Sequence, residues 1–153
     1  MESSHKSSSH VQLYAETVIC QKVEEQLGVS LEKNPKIPLT NAPVPFMQPD
    51  FYSAEHCIVG EIFAHIGNPK KAQNNKIAND VLKMLLLEKV TGREFRKIIV
   101  VCDQTEKKRL EGKSVLAESI RRFGIELMYI GITDELQRQI LQAQDTQKMT
   151  NAE

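Results

Sequence analysis

The chain has no tryptophan, and its aromatic residues are five phenylalanines and three tyrosines. That leaves little for the stacking platform with which many proteins hold single-stranded nucleic acid. The three cysteines, Cys20, Cys57 and Cys102, are far apart and form no Cys-x-x-Cys pair, so neither a zinc motif nor a disulfide framework is indicated. Cys102 closes an apolar run and reads as a buried thiol. There is no glycine-rich phosphate loop and no internal repeat. No apolar run approaches the roughly 20 residues of a membrane-spanning helix, and residues 1–10 lack the apolar segment of a signal peptide. The expectation is a soluble, cytoplasmic protein. An excess of one charge is missing too: 20 basic residues face 20 acidic ones, for a formal net charge of zero. This argues against a basic coat that binds nucleic acid without specificity. A local basic groove remains compatible with it, because an acidic site elsewhere would cancel it in the sum.

What is present is ordinary globular material, 41% hydrophobic and 26% charged over 153 residues. A chain of this length buries roughly 70% of its unfolded surface, enough for one core. Residues 1–9, rich in Ser, His and Lys, are expected to form a disordered tail, residues 10–146 a single domain and residues 147–153 a polar tail. Val11, Tyr14, Ala15, Val18 and Val23 recur near helical spacing and predict a helix over 10–27, stopped by Gly28. Pro35, Pro38, Pro43 and Pro45 make 30–45 a loop or irregular edge with room for a short strand. Residues 46–53 and 57–66 read as strands joined by a tight turn at Ala54-Glu55-His56. Asn68 and Pro69 open a helix over 68–90. Its expected buried face is Ile77, Val81, Leu82, Leu85 and Leu86; Gln73, Lys76, Asp80 and Lys83 form a polar row. The β-branched run Lys97–Cys102 predicts a buried strand. A helix over 113–123, a strand over 125–132 and a helix capped by Thr133 follow. The order predicts an α/β protein with a mixed central sheet and helices on both faces.

Within this frame the carboxylates carry the chemistry. Asp50, in Pro49-Asp50, falls on the first strand of the hairpin and Glu61 on the second. Glu61 shares a face with Cys57, Val59, Phe63 and His65 in a strand that is apolar on both sides, so its charge needs a metal, a partner or a proton. Two acids on adjacent strands are a common way to hold a hard cation such as Mg²⁺ against a phosphate. Glu16 flanks the apolar stripe of the first helix and reads either as a boundary residue or as a buried functional group.

The succession of helix with Glu16, strand with Pro49-Asp50, strand with Glu61, helix with Gln73 and Lys76, then strand resembles the PD-(D/E)XK nuclease superfamily over residues 10–103. The resemblance implies a restriction-endonuclease-like fold and Mg²⁺- or Mn²⁺-dependent hydrolysis of DNA phosphodiester bonds. It implies Asp50 and Glu61 as metal ligands, the carbonyl of Ile62 as a further ligand, and Glu16 beside them. The superfamily motif places a lysine two residues after the second acid, where this chain has Phe63. Some members supply that lysine from the next helix, which implies Lys76, with Gln73 on the same helix face, as the catalytic substitute. DNA, a second copy of the chain and a recognition partner are the implied partners.

Other residues admit two readings. Lys70 and Lys71 oppose the dipole of the helix that they begin, and either bind a phosphate there or tolerate a small screened penalty. His65 is a base, a ligand or, preferred, a hydrogen-bonded core residue. His56 is read as solvated. Asp103 either binds a ligand at its strand end or caps a turn. Glu106-Lys107-Lys108-Arg109 and Arg121-Arg122 touch a nucleic-acid backbone or are solvated surface. Two further functions compete with the nuclease: a catalytically silent interaction or nucleic-acid-binding protein on the same fold, and a doubly wound ligand-binding protein using Asp103.

Overall fold

A computed structural model describes residues 4–40, 43–67 and 71–152. It is an α/β structure. Helix α1 (Ser4–Leu27) leads into three short strands, β1 (Glu32–Lys33), β2 (Ile37–Pro38) and β3 (Phe46–Met47). The hairpin β4 (Phe51–Ser53) and β5 (Ile58–Phe63) follows, then helix α2 (Lys71–Thr91) and strand β6 (Arg96–Val101). Helices α3 (Gln104–Leu110) and α4 (Val115–Arg122), strand β7 (Ile125–Tyr129) and helix α5 (Asp134–Ala152) complete the chain.

The central sheet has five strands in the order β1-β4-β5-β6-β7. β1, β4 and β5 pair antiparallel, while β5-β6 and β6-β7 are parallel. The expected mixed sheet is thus observed. β5 is buried along all six residues. One face packs Ile58, Ile62, Ile98 and Val100 against Ala15, Ile19 and Val23 of α1 and Leu136 and Ile140 of α5. The other packs Val59, Phe63, Ile99 and Val101 against Ile77, Val81, Met84 and Leu87 of α2, with α3 and α4 alongside. Gly28 stops α1 as expected, with φ at 70° and its N–H bonded to Glu24 O. Thr133 Oγ1 accepts from Leu136 N and caps α5.

Several expectations need correction. The N-terminal segment is helical from Ser4 and α5 continues to Ala152; once a helix is nucleated, polar residues extend it at little cost. The single strand expected over 46–53 is two. Pro49 has no N–H to donate, so pairing breaks there, and β3 joins β2 in a separate two-stranded sheet. The run at 104–110 is a helix, with Glu106 buried in it. On α2, Leu82 and Leu86 are exposed, and Met84, Leu87 and Asp80 are buried instead. The buried face is therefore rotated toward the row that looked polar. Asn68, Pro69 and Lys70 lie outside the described residues.

Candidate acid–lysine site

The site grows from the end of the β4-β5 ladder. Phe51 pairs with Gly60, and continuing that register by one residue sets Asp50 opposite Glu61. Gly60 is required there: a Cβ would fall 2.0 Å from Cζ of Phe51, whose ring lies across the glycine. Past Phe51 the backbone ladder stops at proline. The side chain of Asp50 takes over, with Oδ2 accepting from Ile62 N at 2.7 Å. The Ile62 N–H thus joins the site by bonding Asp50, and the Ile62 side chain is buried on the α1 face.

Glu61 is 2% exposed. Lys83 Nζ lies 2.6 Å from Glu61 Oε1, at an angle that leaves this oxygen without a proper hydrogen bond. The same ammonium is 3.8 Å from Asp80 Oδ1, while Lys76 Nζ is 3.1 Å from Asp80 Oδ2. Asp80 is buried between the two lysines. Glu16 faces Asp50 across a cleft of about 40 Å³ bounded also by Cys20, Lys33 and Asn34. That volume suits water or an ion.

Four carboxylates and two ammoniums therefore share one electrostatic neighbourhood. Burial, then the charges of Asp50 and Asp80, push the Glu61 carboxyl up to about 8, against the pull of Lys83. Burial and then Asp50 raise Glu16. Burial also raises Asp80, outweighing Lys76 and Lys83. For Lys76, burial disfavours the ammonium, but Asp80, Asp50 and Glu61 more than reverse this and hold it above the ordinary lysine range. Such a cluster of shifted groups marks a candidate functional site.

The expected site residues divide as follows. Asp50, Glu61 and Glu16 come together. Lys76 reaches Asp80 and influences Glu61 only through space. Gln73 is half-buried in the first turns of α2, and Lys71 is exposed at its start. Lys70 lies outside the described residues. Phe63, at the position where the motif has lysine, is 4% exposed in the core. His65 belongs elsewhere. Its ring stacks on Phe63 with centroids 5.4 Å apart, its Nδ1 has no partner, and its pKa is lowered by burial against the pull of Glu106 and Asp103. Asp103 caps α3 through Thr105 N and also accepts from Gly67 N at 2.8 Å, so the capping reading holds. His56 sits in the exposed turn beside Glu55. Arg121 and Arg122 both pair with Glu118. Cys102 is a buried thiol, its pKa pushed up to about 12, chiefly by burial.

Sequence reasoning missed Lys83 and Asp80 as members of the site, although both stood in the polar row of α2. The signal was a matter of length. Were residues 61–67 fully extended, they would cover about 20 Å. A helix returning at about 1.5 Å per residue needs about 13 residues to draw level again. Counted from Lys71, that leads to the turn of Lys83 and past Lys76.

A hard divalent cation asks for oxygen donors. Among the described residues, no three His, Cys, Asp or Glu side chains converge closely enough to hold one alone. Yet Glu61 Oε1 is a buried carboxylate oxygen that meets the Lys83 ammonium at 2.6 Å outside hydrogen-bond geometry, and the charge of Asp50 acts on it. Mg²⁺ commonly takes one or two carboxylates and completes its shell with water and phosphate oxygens. The pair fits such an ion in that form.

Known families, curated proteins and solved structures contain no match to this chain. The reading of the site rests on its geometry. Among the described residues, no helix is long and apolar enough to cross a membrane.

Proposed function

We propose that this chain is a metal-dependent nuclease of the restriction-endonuclease-like fold, hydrolysing phosphodiester bonds in DNA. The observation that carries the reading is the convergence of Asp50 and Glu61 from paired strands with the Lys83 ammonium 2.6 Å from Glu61. Asp50 and Glu61 would hold Mg²⁺ or Mn²⁺. When bound, the ion lowers the pKa of a coordinated water and neutralises charge that builds on the phosphate. Asp50 is oriented by the Ile62 N–H, which keeps its carboxylate at the ladder end. The nearly complete burial of Glu61 strengthens every charge interaction around it. Lys83 supplies the mobile positive charge that Phe63 cannot, and Lys76 stands one layer out on Asp80. Glu16 adds a third acid from the α1 side, facing Asp50.

DNA is the substrate under this reading. Selection of the substrate would come from DNA structure, a second copy of the chain or a partner protein. A second reading, a catalytically silent binding protein, is favoured by one observation: Lys83 already neutralises Glu61 without any metal. Incubation with supercoiled, linear and branched DNA in Mg²⁺ and Mn²⁺ separates the two. The nuclease reading expects metal-dependent cutting that is lost in Asp50→Ala and Glu61→Ala. It also expects a larger loss in Lys83→Ala than in Lys76→Ala. No cutting on any of the three substrates would leave the silent protein as the better account.

A further inference from the structure

Asp80 has no role in the reading above, yet it is the best-placed carboxylate for controlling Lys83. It is 7% exposed, and its two oxygens look toward different lysines. Oδ2 accepts from Lys76 at 3.1 Å, whereas Oδ1 stands 3.8 Å from Lys83 Nζ. Lys83 itself is held loosely. Its side chain is 31% exposed, its contact with Glu61 lacks hydrogen-bond geometry, and its third neighbour is the carbonyl of Gln48 at 3.4 Å.

A divalent cation that takes Glu61 Oε1 displaces an ammonium at that distance, because the two repel at short range in a poorly hydrated site. The lysine head must move, and its four-carbon stem lets it do so without backbone change. Asp80 lies three residues earlier on the same helix, so a shift of about 1 Å would close the 3.8 Å gap to ion-pair contact. We infer that Asp80 is a positioning residue that takes the Lys83 ammonium from Glu61 when a divalent cation binds, so that Lys83 is the cation's stand-in in the empty site and its neighbour in the filled one. Lys76, fixed on the other oxygen, keeps Asp80 aimed between the two lysines. This inference rests on the proposed reading of Asp50 and Glu61 as the cation-holding pair.

The test is a double-mutant cycle on Mn²⁺ affinity, measured without DNA by electron paramagnetic resonance of free Mn²⁺. The four proteins are the wild type, Asp80→Asn, Lys83→Gln and the double variant, each checked for folding by thermal melting. The hand-off predicts that Asp80→Asn weakens Mn²⁺ binding about tenfold. Lys83→Gln should tighten it, and Asp80→Asn should then cost under about threefold in the Lys83→Gln background. A purely electrostatic role for Asp80 predicts the same loss in both backgrounds and would overturn the inference. So would the absence of Mn²⁺ binding by both the wild type and Lys83→Gln. Should Asp80→Asn fail to fold, labelled-lysine NMR of the wild type decides: the Lys83 side-chain resonance must shift on Mg²⁺ addition, and an unmoved resonance at saturating metal refutes the hand-off. Because no arm uses cleavage, the pattern can hold in a protein that cuts nothing, and cutting can persist without the pattern. The inference and the nuclease reading therefore fail separately.

Discussion

Glu61 and Glu106 are the two glutamates that the described structure removes almost wholly from water, at 2% and 1% exposure. Glu106 sits on α3, and its cation, Arg109, is one turn further along the same helix. The pair is assembled locally, within one turn of α3, with Glu106 Oε2 and Arg109 Nε making no further hydrogen bond. Glu61 is different. Asp50 approaches from the residue before β4, Asp80 and Lys83 from α2, and like charges outweigh the lysine enough to push the carboxyl up to about 8, with burial the largest cause. Burial alone therefore does not mark a site. A buried acid answered by a cation on its own helix is a structural pair. A buried acid that meets other acids from separate elements is left with more negative charge around it than its one lysine offsets, and a metal or a proton can relieve that excess.

The comparison can be broken most forcefully at Gly60. In Gly60→Ala the new Cβ would meet the fully buried Phe51 ring, with an expected loss of about 3 kcal/mol. Because Phe51 and Gly60 set the Asp50–Glu61 register, this variant should damage the acid site and leave the α3 pair in place. Urea unfolding measures the first, and a loss under about 1 kcal/mol would mean that the ring escapes easily.

Glu106→Ala comes next. It leaves Arg109 partly buried without its acid, and the expected cost is about 2 kcal/mol; the partial exposure of the arginine keeps it below the loss from a wholly buried pair. An unchanged urea midpoint would remove the distinction between the two glutamates.

Glu61→Gln should act in the opposite direction. The folded chain binds this proton more tightly than the unfolded chain, whose glutamate has its ordinary value of 4.5. Stability from the group is thus complete below pH 4.5 and is lost as pH climbs through about 8. In EDTA at pH 9, Glu61→Gln is expected to be more stable than the wild type by about 1–2 kcal/mol, and at pH 4 to be equal to it. Destabilisation at pH 9 would show that the Lys83 contact outweighs the repulsion from Asp50 and Asp80.

The smallest effect is expected at the exposed ion pair between Arg96 and Glu126, where both side chains are more than two-fifths exposed. Arg96→Ala should shift stability by less than about 0.5 kcal/mol. A larger loss would mean that exposure is a poor guide to the value of charge pairs in this protein, and the contrast between Glu61 and Glu106 would need another basis.

Much of the architecture was legible in the chain because it is written in short-range pattern. The β-branched run from Lys97 announced β6, the alternation around Glu61 announced a strand buried on both faces, and Thr133 announced the start of α5. The nearness of Asp50 to Glu61 was legible for the same reason, since a tight turn at residues 54–56 brings the segments on either side of it together. Where pattern was ambiguous, the reading slipped. α3 is short and its residues are charged, so its one buried acid was hidden in what looked like a surface run. α2 is rich in apolar residues on more than one side, so periodicity alone could not say which of them faced the sheet.

The amino-acid sequence by itself determined most of the element order, the mixed α/β class and the two carboxylates of the hairpin, because each depends on neighbours a few residues apart. Only the tertiary structure decided that Lys83 meets Glu61, that Asp80 is buried between two lysines, and that Glu106 is buried against Arg109. Those contacts depend on how far the connection after β5 overshoots, and on how α2 is rotated as it returns across the sheet. Neither is encoded in local periodicity.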